Sequence, residues 1–109
     1  MGQSKLRMHQ SIAGYMFEGP YPNFERIQEV PGLWAVITTD TREYYLLDIG
    51  YSQDIKSSLV NNPRGKCWEE FDQGQMLYAF FHEKDTDEEK YNLILRDIRK
   101  NYENIPCGN

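Results

Sequence analysis

The chain is poor in the residues that usually advertise catalysis or membrane insertion. Its 109 residues include two histidines and two cysteines. It has no HExxH pair, no paired CxxC, no phosphate-cradling glycine loop and no GxSxG elbow. The usual signatures of zinc proteases, zinc ribbons, nucleotide binders and serine hydrolases are therefore missing. No stretch approaches the ~20 apolar residues of a membrane span. Met1 to Gln10 carries Lys5 and Arg7 without the apolar run of a secretory signal. The expectation is a cytoplasmic protein with no membrane partner. Positive charge is also scarce: 12 Lys and Arg face 17 Asp and Glu, a formal charge of −5. That is the wrong sign for sequence-independent phosphate binding by the whole surface, although a local basic groove remains open. Cys67 and Cys107 lie far apart and outside any CxxC pair, so reduced thiols are expected.

What is present suffices for one globular domain. Domains run to about 100–150 residues, and 39% hydrophobic with 14% aromatic residues is ample for a core without a metal or disulfide framework. Residues 1–22 lack a clear period and read as an N-terminal arm, leaving 23–109 as the domain. Leu33 to Thr38 and Tyr44 to Ile49 are rich in aromatic and β-branched residues. The polar Thr39-Asp40-Thr41-Arg42 between them fits a hairpin turn. Ser52 can cap a helix reaching about Asn61, with Ile55 and Leu59 on one face, until Asn62-Pro63-Arg64-Gly65 stops it. Cys67, Trp68 and Phe71 suggest a further helical turn, and Met76 to His82 a third strand. Thr86 with Glu89 reads as a capping box. Tyr91, Ile94, Leu95, Ile98 and Tyr102 then recur at helical spacing. Acidic residues open this helix, and Arg96, Arg99 and Lys100 close it, as the helix dipole favours. The order ββαβα predicts an α+β fold, an α/β sandwich-like arrangement of a small three-stranded antiparallel sheet flanked by helices.

Of the two histidines, His9 and His82, the second sits at a strand end where a polar side chain is ordinary. Glu83, Asp85, Asp87, Glu88 and Glu89 have the oxygen chemistry of a hard-cation site, but helix capping explains them more simply.

The hairpin carries a resemblance. Gly32-Leu33-Trp34 opens the first strand, and Asp48-Ile49-Gly50 closes the second. Tyr51-Ser52, Asp54-Ile55-Lys56 and Leu59 follow. Together with Asn62 to Trp68 and the ending Ile105-Pro106-Cys107-Gly108, these resemble the GIY-YIG endonuclease domain in its small stand-alone bacterial branch. The resemblance spans Phe24 to Asn109 and implies that family's fold. It also implies phosphodiester cleavage by a tyrosine that helps activate water, an arginine facing the phosphate and a glutamate holding one divalent metal. Aligned on these motifs, the first-triplet tyrosine falls on Trp34, a donor that cannot act as a base. The second-triplet tyrosine falls on Asp48, the arginine on Ser58 and the glutamate on Leu95, which offers a metal no oxygen.

Nearby residues offer substitutes. Tyr44, Tyr45 or Tyr51 supplies a phenol, Arg64 or Arg99 a guanidinium, and Asp48 or Asp97 a carboxylate. Three readings therefore stand. The first is a non-catalytic GIY-YIG-like module that binds a protein or nucleic acid. The second is a divergent endonuclease with a rearranged site, the one reading that calls for Mg or Mn as cofactor. The third is a structural domain whose former cleft is filled by core residues such as Trp34 and Leu95. Lys56, Arg64, Lys66 and Trp68, with Tyr51, are the candidate binding surface for phosphate and base stacking. Against that surface, Glu69, Glu70 and Asp72 follow at once, and Trp68 reads more simply as core.

Overall fold

The computed structural model describes residues 5, 6, 10–102 and 104–108; Arg7 and His9 lie outside them. The fold is α+β. A five-stranded antiparallel sheet is built from β1 (Lys5–Leu6), β4 (Glu18–Tyr21), β5 (Gly32–Thr39), β6 (Tyr44–Ser52) and β7 (Gln75–Phe81), in the order β1-β6-β5-β7-β4. β2 (Ser11–Ile12) and β3 (Tyr15–Met16) form a separate two-stranded ribbon. The described residues also form three helices: α1 (Ile55–Val60), α2 (Gly65–Glu70) and α3 (Glu88–Lys100).

β5 is central, and all eight of its residues are buried. The period of two sends Leu33, Ala35 and Ile37 to one face and Trp34 and Val36 to the other. On the first face they meet Tyr91, Ile94, Leu95 and Ile98 of α3, together with Ile12 and Phe17. On the second they meet Ile55 and Leu59 of α1, Trp68 of α2 and Ile27. Helices thus cover the sheet on both sides, and that is why a continuous apolar run is stable in its middle strand. The hairpin turn closes on Asp40, whose Oδ1 accepts from the backbone N–H of Arg42 at 2.9 Å and of Glu43 at 2.8 Å.

The expected core strands and helices are present, with four corrections. The sheet has five strands where the sequence predicts three. Of residues 1–22, read as an arm, β1 pairs with β6 and β4 with β7. β4 contains Gly19-Pro20, which punctuates a sequence as a breaker yet is tolerated at a sheet edge, where no inner ladder needs the missing N–H. The two helix caps shift. Asp54 caps α1 by accepting from the Ser57 N–H, and Asp87 caps α3 by accepting from the Lys90 N–H. Ser52 instead closes a local turn with Asp54. A carboxylate in these positions suits the positive end of the helix better than the neighbouring hydroxyl.

The fourth correction concerns the cysteines, which are joined by a disulfide between α2 and the C-terminal segment, with Cα atoms 5.9 Å apart. Forty positions separate them in sequence, and only the return of the chain after α3 brings them together. In the chain-entropy picture such a loop stabilises by roughly 4 kcal/mol. Disulfides belong to oxidising compartments, so the cysteines lend a cytoplasmic setting no support. No helix among the described residues is long and apolar enough to cross a membrane.

Leu95 is 9% exposed in the α3 face of the core. Leu95→Glu places a carboxylate there without a partner and is expected to cost about 2–5 kcal/mol. The change is measured as a lower urea midpoint; an unchanged midpoint would show that this face is not core.

Candidate functional site

The most unusual chemistry in the molecule surrounds Asp48. The β5–β6 register pairs Val36 with Asp48 and then Ile37 with Leu46, so Leu47 is an extra residue. This bulge sets Leu47 and Asp48 on the same side of the sheet, the side covered by α1 and α2, whereas a regular strand would have separated them. Asp48 has no exposed surface. Its Oδ1 accepts from the Ile49 N–H at 2.8 Å, and its Oδ2 accepts from Trp68 Nε1–H at 2.8 Å and pairs with Arg64 Nε at 3.0 Å. Arg99 adds favourable charge from α3. Gly108 packs on the same carboxylate: a Cβ there would stand 3.2 Å from Oδ1 and 2.8 Å from Ile105 Cγ2. Burial holds the Asp48 carboxyl above the usual carboxylate range, although the indole, Arg64, the Ile49 N–H and Arg99 all pull the other way.

Trp34 lies beside this cluster. Its ring centroid is 6.1 Å from that of Trp68, and Arg64 Cζ stands 5.6 Å above its own ring. Trp34 pairs across the strands with Gly50 and covers it: a Cβ on Gly50 would stand 2.6 Å from the indole Cζ2. Trp34 Nε1–H is buried without a hydrogen-bond partner among the described residues. Gly32, at the head of the same strand, is equally required, because a Cβ there would run into the Phe81 carbonyl oxygen.

The structure brings together Trp34, Asp48, Arg64 and Trp68. It does not bring Leu95 to them: Leu95 belongs to the core on the opposite face of the sheet. Ser58 is half-buried on α1. Tyr44 and Tyr51 pack against the α3-side core, and Tyr45 is half-buried on β6 opposite Lys5. Asp97 is exposed and accepts from the Tyr15 hydroxyl at 2.8 Å. Arg99 Nη2 donates to the Ile49 carbonyl at 3.2 Å. His82 Nδ1 lies 2.7 Å from the Pro31 carbonyl, which can only accept, so that nitrogen carries the proton.

Of the candidate binding surface, Lys66 is exposed and Lys56 half-buried, but Trp68 is 4% exposed and presents no ring for stacking. Among the described residues no group of three or more metal-ligating side chains is assembled. Sequence reasoning missed Gly50, Gly108 and the Ile49 N–H as parts of the cluster. Backbone donors and glycines that only make room leave no chemical signature in a sequence.

The arrangement holds one ionised or ionisable group in the interior and occupies both of its oxygens with donors. It is a packing and orienting device. Oδ1 is met by the Ile49 N–H and Oδ2 by both Trp68 and Arg64, and the side chain has no exposed surface. Compared with family models, with curated proteins and with solved structures, the chain matches none.

Two outcomes follow from this geometry. Because the folded Asp48 carboxyl is raised above its ordinary value of 3.8, the native state binds more protons than the unfolded state between those two values. The stability contributed by the neutral form is present below 3.8 and is lost as pH rises through the folded value. Wild type should therefore lose ground to Asp48→Asn as pH rises from about 3.8, read from paired urea titrations; a difference independent of pH would refute the assignment. Gly50→Ala should destabilise by about 1–3 kcal/mol, because the methyl group must displace the Trp34 ring. A shift in tryptophan fluorescence should accompany the loss.

Proposed function

We propose that the chain is a GIY-YIG-like domain that has lost catalysis and acts as a structural or binding module. One observation carries the reading. Asp48, at the position aligned with the family's second-triplet tyrosine, is buried and engaged by Trp68, Arg64 and the Ile49 N–H. Support for the family likeness comes from the strand pairing: Gly32-Leu33-Trp34 lies on β5 beside the end of β6 that carries Gly50, and α1 follows directly. Support for lost chemistry comes from the residues themselves. Phosphodiester hydrolysis needs an activated water, charge neutralisation at the phosphate and a held metal. Trp34 cannot accept a proton and Ser58 carries no charge, while Leu95, aligned with the metal ligand, lies across the sheet from Trp34.

A structural role is favoured over nucleic-acid binding. Arg64, the best-placed cation of the proposed surface, is engaged by Asp48, and Glu69, Glu70 and Asp72 are exposed beside Lys66. A −5 chain with that local field repels a polyanion.

The test is incubation of the purified protein with single-stranded, duplex and branched DNA and RNA, with and without Mg or Mn. No EDTA-sensitive cleavage is expected, and no gel shift at physiological salt. Asp48→Asn and Arg64→Gln should change stability alone. Reproducible metal-dependent cleavage that either substitution abolishes would overturn the proposal in favour of a divergent endonuclease.

A further inference from the structure

Part of the β6 edge is met by pieces from elsewhere in the chain. Among the described residues, β1 pairs with Tyr44 and Tyr45. Beyond that point the Leu47 carbonyl accepts from the Cys107 N–H at 2.8 Å, the Ile49 carbonyl accepts from Arg99, and the Ile49 N–H donates to Asp48. Pro106 to Gly108 lies along this edge, with Gly108 against the Asp48 carboxylate. The segment is anchored on its N-terminal side by Ile105, 1% exposed in the α3-side core. On the other side of the carboxylate, α2 supplies Trp68. α2 has six residues and no side-chain cap at its N-terminus. The Cys67–Cys107 bond ties these two covers of Asp48 to each other.

We propose that this disulfide is a redox-controlled latch over Asp48 and the adjoining edge of β6, separate from the structural role inferred above. Cys67 is half-buried whereas Cys107 is 5% exposed, so a thiolate reaches the Cys67 sulfur first. A dithiol reductant attacks there, forming a mixed disulfide and releasing the Cys107 thiolate. Its second thiol then displaces Cys67. The reductant leaves as a disulfide, and its two electrons and two protons remain on Cys67 and Cys107 as thiols. Pro106 to Gly108 then lifts from β6 with Ile105 as the pivot. The Leu47 carbonyl loses its donor, and α2 loses its covalent tie beside Trp68. Cys107 packs with Trp34 and Val36 of β5 and Phe80 of β7, but the β5–β7 ladder is made without the bond and α3 packs on the opposite face of the sheet, so these elements stay folded.

The experiment follows backbone amide and indole N–H exchange by NMR in the oxidised protein, after dithiothreitol, and after reoxidation. The Trp68 indole is assigned with Trp68→Phe. On reduction, exchange at the Cys107 and Gly108 amides and at the Trp68 indole should quicken at least tenfold more than in β5 and α3, whose native chemical shifts should persist. Reoxidation should restore the starting values. A Cys67→Ser/Cys107→Ser double variant should match the reduced protein without reductant. Unchanged exchange at Cys107 and Trp68 would overturn the proposal by making the bond an inert staple. An equal quickening throughout β5 and α3 would overturn it as well, since the bond would then act on the whole fold and not on the latch. Two free thiols in the air-oxidised protein would end it directly.

Discussion

A carboxylate taken wholly out of water must be met by donors, because an unpaired buried charge costs several kcal/mol. Around Asp48 that requirement organises much of one side of the molecule. The β6 bulge turns the side chain inward, α2 lies where its indole can donate, Arg64 reaches over from the start of the same helix, and the C-terminal segment closes the top. Each contribution comes from a different part of the chain. The short α2 helix in particular gains its position from Trp68, Arg64 and Cys67 rather than from its own hydrogen bonds, since six residues are too few for an isolated helix.

The second constraint is the full burial of β5. A strand covered on both faces needs two opposed apolar layers. The chain supplies α3 with the β2–β3 ribbon on one side and α1 with α2 on the other. This division also separates the residues that a family alignment would gather into one site. Trp34 faces one layer and Leu95 lies in the other, with the sheet between them. The two glycines of the hairpin triplets acquire packing reasons of their own. Gly32 makes room for the β7 backbone and Gly50 for the Trp34 indole, so their presence supports the paired-strand geometry without requiring any chemistry.

The edges are managed differently. β4 is short and carries a proline, which discourages pairing with another chain. At the far edge the described residues pair as Lys5 and Leu6 of β1, and the backbone groups at Leu47 and Ile49 are met by Cys107, by Arg99 and by Asp48. Asp48 therefore serves twice, as the centre of the buried cluster and as an acceptor for its own strand edge.

Much of the framework was legible in the sequence. The β-branched and aromatic runs at 33–38 and 44–49 marked the hairpin, and the spacing of Tyr91, Ile94, Leu95 and Ile98 marked the buried face of α3, because local periodicity reports which side of an element meets the core. The incapacity of Trp34 to act as a base was likewise fixed by its side chain. Tertiary structure alone decided the rest. The one-residue bulge that turns Asp48 inward depends on how β6 registers against β5. The pairing of β4 depends on an edge that exists only once β7 is in place. The Cys67–Cys107 bond depends on the path of the chain after α3. These features join residues distant in sequence, and neither composition nor period carries the three-dimensional closure that brings them into contact.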